Sequence, residues 1–135
     1  MDLLNSMHVS ASGMKAQSDR LRIVSQNIAN AESAGVRPGD TPYRRRTISF
    51  KNQLDRELGE QKVTVNQYST DPSPFQMKYD PAHPAANEEG YVQMPNVNPI
   101  IEMMDMREAR RGYEANLNVI ESSKSMIQQA ISVIR

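Results

Sequence analysis

Leu4, Met7, Ala11, Met14, Ser18, Leu21, Ser25 and Ile28 recur at alternating spacings of three and four, the heptad rhythm of a helix seam. The rhythm predicts a helix running to about Ala34, where Gly35 supplies a stop and Val36-Arg37-Pro38-Gly39-Asp40-Thr41-Pro42 reads as loop. At a rise of ~1.5 Å per residue such a helix is about 50 Å long. A narrow apolar stripe on so long a helix has nothing to bury by itself in water, so the pattern demands a partner.

The other end of the chain supplies one. Met106, Tyr113, Ile120, Ile127 and Ile134 recur every seven residues, with Ala109, Leu117, Ala130 and Ile131 near the intermediate positions. This second helix begins after Pro99, a residue tolerated in a first turn, and continues through Gly112 to the C-terminus. The expected fold is α+β and mainly α: long N- and C-terminal helices packed antiparallel as a coiled coil, with a small irregular β insert between them. The helical domain is therefore discontinuous, 1–34 with 99–135, and 35–98 forms a loop and a β-rich outer insert. In that insert Thr47–Phe50, Lys62–Tyr68, Phe75–Tyr79 and Tyr91–Met94 have strand-like content, and Asp71-Pro72-Ser73-Pro74 and Asp80-Pro81-Ala82-His83-Pro84 fix turns.

Chemistry-bearing patterns are sparse. His8 and His83 lie on different segments in no metal-binding spacing, and the loop carboxylates Glu88, Glu89, Asp71 and Asp80 read as solvated turn residues. No Gly-rich phosphate loop and no nucleophile elbow occurs, so neither catalysis nor a cofactor or metal is expected. Sixteen Lys and Arg balance sixteen Asp and Glu, which removes the general attraction to nucleic acid or an anionic membrane. The run Arg44-Arg45-Arg46 then reads as a solvated or salt-bridged face. The nine methionines, among them Met103, Met104 and Met106, suit an adaptable interface or plain core. The first residues carry no basic leader and no stretch is apolar enough to span a bilayer, so export, if it occurs, is expected to use something other than a cleaved signal.

The segment Ser25-Gln26-Asn27-Ile28-Ala29-Asn30-Ala31-Glu32-Ser33 resembles the N-terminal signature of the flagellar rod and hook protein family, an Asn-x-Ala-Asn core followed by Gly and later by Tyr-x-Arg. Here Gly35 is separated from Tyr43-Arg44-Arg45 by a short insertion, a departure that resembles the proximal-rod branch. Tyr79-Asp80-Pro81-Ala82-His83-Pro84, Asn87, Gly90-Tyr91-Val92 and Pro95-Asn96-Val97-Asn98, leading into Glu102-Met103, point the same way. Arg107-Glu108-Ala109-Arg110-Arg111-Gly112-Tyr113-Glu114-Ala115-Asn116 is similar to the family's closing motif, with Gly112 where Ser is commoner.

The resemblance implies a structural subunit of the periplasmic proximal rod, exported uncleaved by the flagellar type III apparatus. It would pack against other rod proteins and the membrane-ring and export-gate base, with no nucleic acid, small-molecule substrate or membrane insertion. The apolar stripes would be the subunit seam that transmits torque. Asn27 and Asn30 would either fix axial register against a neighbour or cap the first helix. Phe50-Lys51-Asn52-Gln53-Leu54 resembles a Phe-x-x-x-apolar export-gate element, against the alternative that Phe50 and Leu54 pack the insert. A coiled-coil adaptor is the rival reading, with a small hydrolase a distant third.

Overall fold

The computed structural model describes residues 3–56 and 59–134. In chain order these form helix α1 (Leu3–Ala29), strands β1 (Arg46–Asp55), β2 (Glu60–Thr70), β3 (Gln76–Tyr79) and β4 (Tyr91–Met94), and helix α2 (Pro99–Ile134). The strands make two separate pairs, β1 with β2 and β3 with β4. The fold is thus α+β and mainly α.

α1 ends at Ala29, five residues before the expected Ala34, and Asn30 is the physical reason. Its side-chain Nδ2 and its backbone N–H both donate to the Gln26 carbonyl, at 2.9 and 3.1 Å. The bonds that follow are of shorter span, Ala31 N–H to Ile28 O and Ser33 N–H to Asn30 O, and the helix closes. Gly35 therefore does not stop the helix. It is required for space: a Cβ there would lie 2.6 Å from that of Asp40, whose Oδ2 accepts the N–H groups of Val36 and Arg37.

α2 starts at Pro99, within a residue of the expected position, and Asn98 before it adds a cap. Asn98 Oδ1 accepts the Ile100 N–H at 3.0 Å, and Pro99 occupies the first helical position, where its missing N–H costs nothing. β1 and β2 run past their β-branched stretches because cross-strand bonds carry their polar ends. Thr47 Oγ1 meets Ser69 Oγ at 2.7 Å and Thr64 Oγ1 meets Gln53 Oε1 at 3.4 Å, so the two strands run antiparallel. β3 and β4 pair from Gln76 opposite Met94 to Tyr79 opposite Tyr91, whose rings meet edge to face at 5.2 Å.

The chain divides into two compact units, one comprising Met1–Leu21, Ile48–Gln67 and Arg107–Arg135, the other Arg22–Thr47 and Tyr68–Met106. In the first, the helices meet through small residues. Ala109 is fully buried, Ser10, Ala16 and Ser123 are buried, and a Cβ on Gly13 would sit 2.9 Å from the Asn116 amide. Met7, Met14, Leu21, Tyr113, Ile120 and Ile127 are half-buried beside them. The remaining expected seam residues of this unit, Leu4, Ala11, Leu117, Ile131 and Ile134, are exposed. The covered line on α2 passes through Ala109, Asn116 and Ser123 instead of Leu117 and Ile131, because side chains the size of Leu do not fit where Gly13 approaches.

Gly112 faces Gln17, whose buried Oε1 has no hydrogen-bond partner among the described residues, and a Cβ at 112 would meet that amide at 3.2 Å. The amide is the movable end of a long side chain, and a hydroxyl at 112 supplies the missing donor. Gly112→Ser is therefore expected to stabilise the chain by about 0.5–1 kcal/mol, summing gained helix propensity and the satisfied acceptor. A urea titration checks this, and a lower midpoint than the parent's overturns it.

Candidate functional site

The most organised chemistry lies in the second unit, where the signature residues converge. Asn27, near the end of α1, is 1 % exposed and uses its whole hydrogen-bonding capacity. Its Nδ2 donates to the Arg46 carbonyl at 2.8 Å and to Glu102 Oε2 at 3.0 Å. Its Oδ1 accepts the Tyr43 hydroxyl and the Arg46 N–H, each at 2.9 Å. One side chain thus fastens the start of β1 and the first turn of α2 to α1. Asn27 therefore bonds within its own chain, whereas Asn30 takes the capping part.

Glu102 is fully buried, and each of its carboxylate oxygens has a partner. Oε2 accepts from Asn27, and Oε1 accepts from Arg45 Nε at 2.5 Å. Arg45 also faces Asp71 at 3.7 Å and Asp105 at 3.6 Å, so one guanidinium serves three carboxylates. Burial pulls the Arg45 guanidinium down, but the hydrogen bond and charge of Glu102, with Asp71 and Asp105, hold it above its ordinary value. Tyr43 is raised by burial, opposed by Arg46 and reinforced by Glu102.

A second layer holds the first. Asn96 Oδ1 accepts the Arg45 N–H at 2.8 Å, while its Nδ2 donates to the carbonyls of Asp71 and Ser73, both at 3.1 Å. Arg44 Nη1 donates to the same two carbonyls at 2.9 and 3.0 Å, and its guanidinium lies 4.2 Å from the Phe75 ring centre. The arginine run thus disperses: Arg44 and Arg45 are structural, and Arg46 is exposed.

Asp71 is held below the usual carboxylate range by hydrogen bonds from the Ser73 hydroxyl and N–H, with Arg45 and Arg44 adding charge. A depressed folded value stabilises the fold fully above the ordinary value of 3.8 and loses that contribution as pH falls through the lower one. The stability gap between the parent chain and Asp71→Asn is accordingly expected to be constant at neutral pH and to close on acidification below about 4. Melts across this range check it, and a gap that widens with acid overturns it.

Nothing in this cluster is arranged for turnover. Its carboxylates are tied to Arg45, and among the described residues no group of three or more His, Asp or Glu side chains could hold a metal ion. Among the described residues no helix is long and apolar enough to cross a membrane. His83 Nδ1 accepts the Ala85 N–H within its turn, a local role.

Of the other expected site residues, Tyr43 belongs to this cluster and Arg44 to its second layer. Met106 and Ile28 are half-buried, Gly35 and Tyr43 are positioned as described, Ala29 and Ala115 are exposed, and Asn116 turns its Nδ2 back to the Gly112 carbonyl at 2.9 Å. On β1, Phe50 is half-buried and Leu54 exposed. Arg45 is salt-bridged, one of the two alternatives the run offered, whereas Asp71, expected as a solvated turn residue, is half-buried and paired with it; Glu102 and Asn96 had no role beyond the motif. Glu102 carried a readable signal, since it stands seven residues before the buried Ala109, a charge placed in a buried line.

Residues 7–35 match the family model for flagella basal body rod protein, and residues 88–133 match that for the C-terminal region of flagellar basal body rod FlgEFG protein. The chain is 48 % identical to the flagellar basal-body rod protein FlgC of Agrobacterium fabrum, covering 94 % of this chain and 91 % of that one. It is 40 % identical to that of Borreliella burgdorferi, over 100 % and 99 % of the two chains. Against the Bacillus subtilis protein of the same description it is 35 % identical, over 98 % and 99 %.

Proposed function

Because the chain belongs to the FlgC family of flagellar basal-body rod proteins, structural subunits and not enzymes, we propose that it is a proximal-rod subunit carrying torque through packed helices. The observation that carries this is the apolar surface α2 leaves uncovered. Leu117, Val119, Met126, Ile131, Val133 and Ile134 are exposed in one unit, and Ile100, Ile101, Met103 and Met104 in the other. A single chain gains nothing by exposing so many large apolar groups, whereas neighbouring rod proteins would bury them. In this reading 1–34 and 99–135 form the inner helical domain, packed as a coiled coil with neighbours, and 35–98 lies outside. Interlocked helices resist sliding because any displacement breaks many close contacts at once.

A strain lacking this chain would then assemble basal bodies whose rods stop at the membrane ring, with full rods restored by the intact gene. Electron micrographs decide it, since full-length rotating flagella in the deleted strain would remove the reading.

Export by the flagellar type III apparatus, without a cleaved signal, completes the proposal and places the subunit in the periplasmic rod. Leu54 is 57 % exposed and does not pack the insert, which leaves it accessible to an export gate. Leu54→Ala is expected to fold normally and to be secreted several-fold less than the parent. Equal secretion of the two would assign docking elsewhere.

A further inference from the structure

Arg46 is the member of the arginine run that the buried cluster does not use. Its backbone is bound by Asn27, but its guanidinium is exposed, and its side chain makes one hydrogen bond among the described residues, a long 3.4 Å contact to Gln26 Oε1. It borders a cavity of about 520 Å³ lined by Arg22, Ile23, Gln26, Arg46, Tyr68, Ser69 and Thr70. Arg22 Nη2 donates to the Tyr68 hydroxyl at 3.3 Å across this lining. The side chains lining the cavity supply two guanidinium groups, a phenol, two hydroxyls and an amide, and among the described residues Arg46 keeps most of its donors uncommitted. A guanidinium presents five N–H donors in a planar fork suited to a carboxylate, so the recess is an acceptor for acidic side chains.

The same unit carries an acidic projection of complementary kind. Glu88 and Glu89 are exposed in the turn that joins β3 to β4. That turn is rigid. Asn87 Oδ1 accepts the N–H groups of Glu89 at 3.1 Å and Tyr91 at 2.8 Å, and the Asn87 N–H donates to the Tyr91 carbonyl. Gly90 holds φ at +82°, and a Cβ there would lie 2.9 Å from the Tyr79 ring. Two adjacent carboxylates on a fixed turn lose little conformational freedom on binding, which favours them over a flexible acidic tail.

We propose that the Arg22–Arg46 recess receives the Glu88-Glu89 turn of a second copy of this chain. The two surfaces differ, so the contact is head to tail and propagates from copy to copy instead of closing a two-fold dimer. This inference rests on the rod-subunit reading for the setting in which copies meet. It adds the surfaces by which they do so, on strands and turns and not on the apolar helix faces.

The absence of cysteine makes the contact directly testable. Ser69→Cys and Glu89→Cys are introduced together and separately in the deleted strain, and isolated basal bodies are oxidised and run without reductant. The double variant is expected to give a ladder of multimers of this chain, and neither single variant to give one. Arg46→Glu in the double-cysteine background is expected to cut the ladder about tenfold by like-charge repulsion, and Glu88→Arg added to it to restore the ladder. Arg46→Glu leaves the backbone bonds to Asn27 intact, and a parent-like melt confirms folding. Complete rods without a ladder, or cross-links to a different protein, overturn the proposal while the rod reading stands. Complete rods in the deleted strain itself would overturn the rod reading first.

Discussion

Arg45→Ala is expected to destabilise the chain by about 3–5 kcal/mol, a fall in Tm of about 10–15 °C for a domain of this size. The reason lies in what is left behind. Glu102 is fully buried, and removing Arg45 leaves its carboxylate with Asn27 as its one hydrogen-bond donor and without a counter-charge. Asp71 and Asp105 lose the same cation. Breaking a buried pair from one side costs far more than the pair contributes net, because the desolvation of the remaining charge is no longer offset. Two companion variants fix the interpretation. Arg45→Lys keeps the charge but loses the planar fork that serves several carboxylates at once, and is expected to fall between. Arg45→Ala with Glu102→Gln removes both charges and is expected to recover part of the loss. A single Arg45→Ala variant melting with the parent would show that the Arg45–Glu102 pair does not hold the fold, and the cluster would lose its role as the clasp.

How far the sequence displayed this arrangement depends on what kind of interaction sets each part. Both long helices were visible as heptad rhythm, because burying one face of a helix forces a period that survives in the residue order. The start of α2 was equally visible in Pro99, a local signal to which Asn98 adds a cap. The end of α1 was not, since Asn30 continues the helical pattern and stops it only by turning its amide onto the Gln26 carbonyl. The line of α2 covered within the chain was hidden for a related reason. Leu117 and Ile131 score as seam residues by hydropathy, but the close approach of Gly13 and Asn116 selects small and polar residues there. The buried cluster was legible only as separate motifs. Its members are drawn from segments up to 75 residues apart, and no local rule pairs Asn27 with Glu102.

Asn27 supports the last expectation, because its two obvious replacements should differ in a direction that size alone does not predict. Asn27→Ala removes both donors and both acceptors and strands the Tyr43 hydroxyl, the Arg46 N–H and carbonyl, and one oxygen of Glu102. Unsatisfied buried groups cost about 1–3 kcal/mol each; those that regain water cost less, so a total near 3 kcal/mol is expected. Asn27→Asp is nearly isosteric and keeps the acceptor oxygen for Tyr43 and the Arg46 N–H. It nonetheless places a carboxylate oxygen where Nδ2 stands, 2.8 Å from the Arg46 carbonyl and 3.0 Å from Glu102 Oε2, so two donor contacts become repulsions in a buried setting. The aspartate variant is therefore expected to be less stable than the alanine variant at neutral pH and to overtake it on acidification, as protonation removes the added charge and returns a donor. Melts of both variants at neutral and acidic pH decide the matter. If Asn27→Asp equals the parent at neutral pH, the two bonds donated by Nδ2 do not hold the fold. If instead both variants melt with the parent yet fail to complete rods, Asn27 acts between subunits and not within the chain.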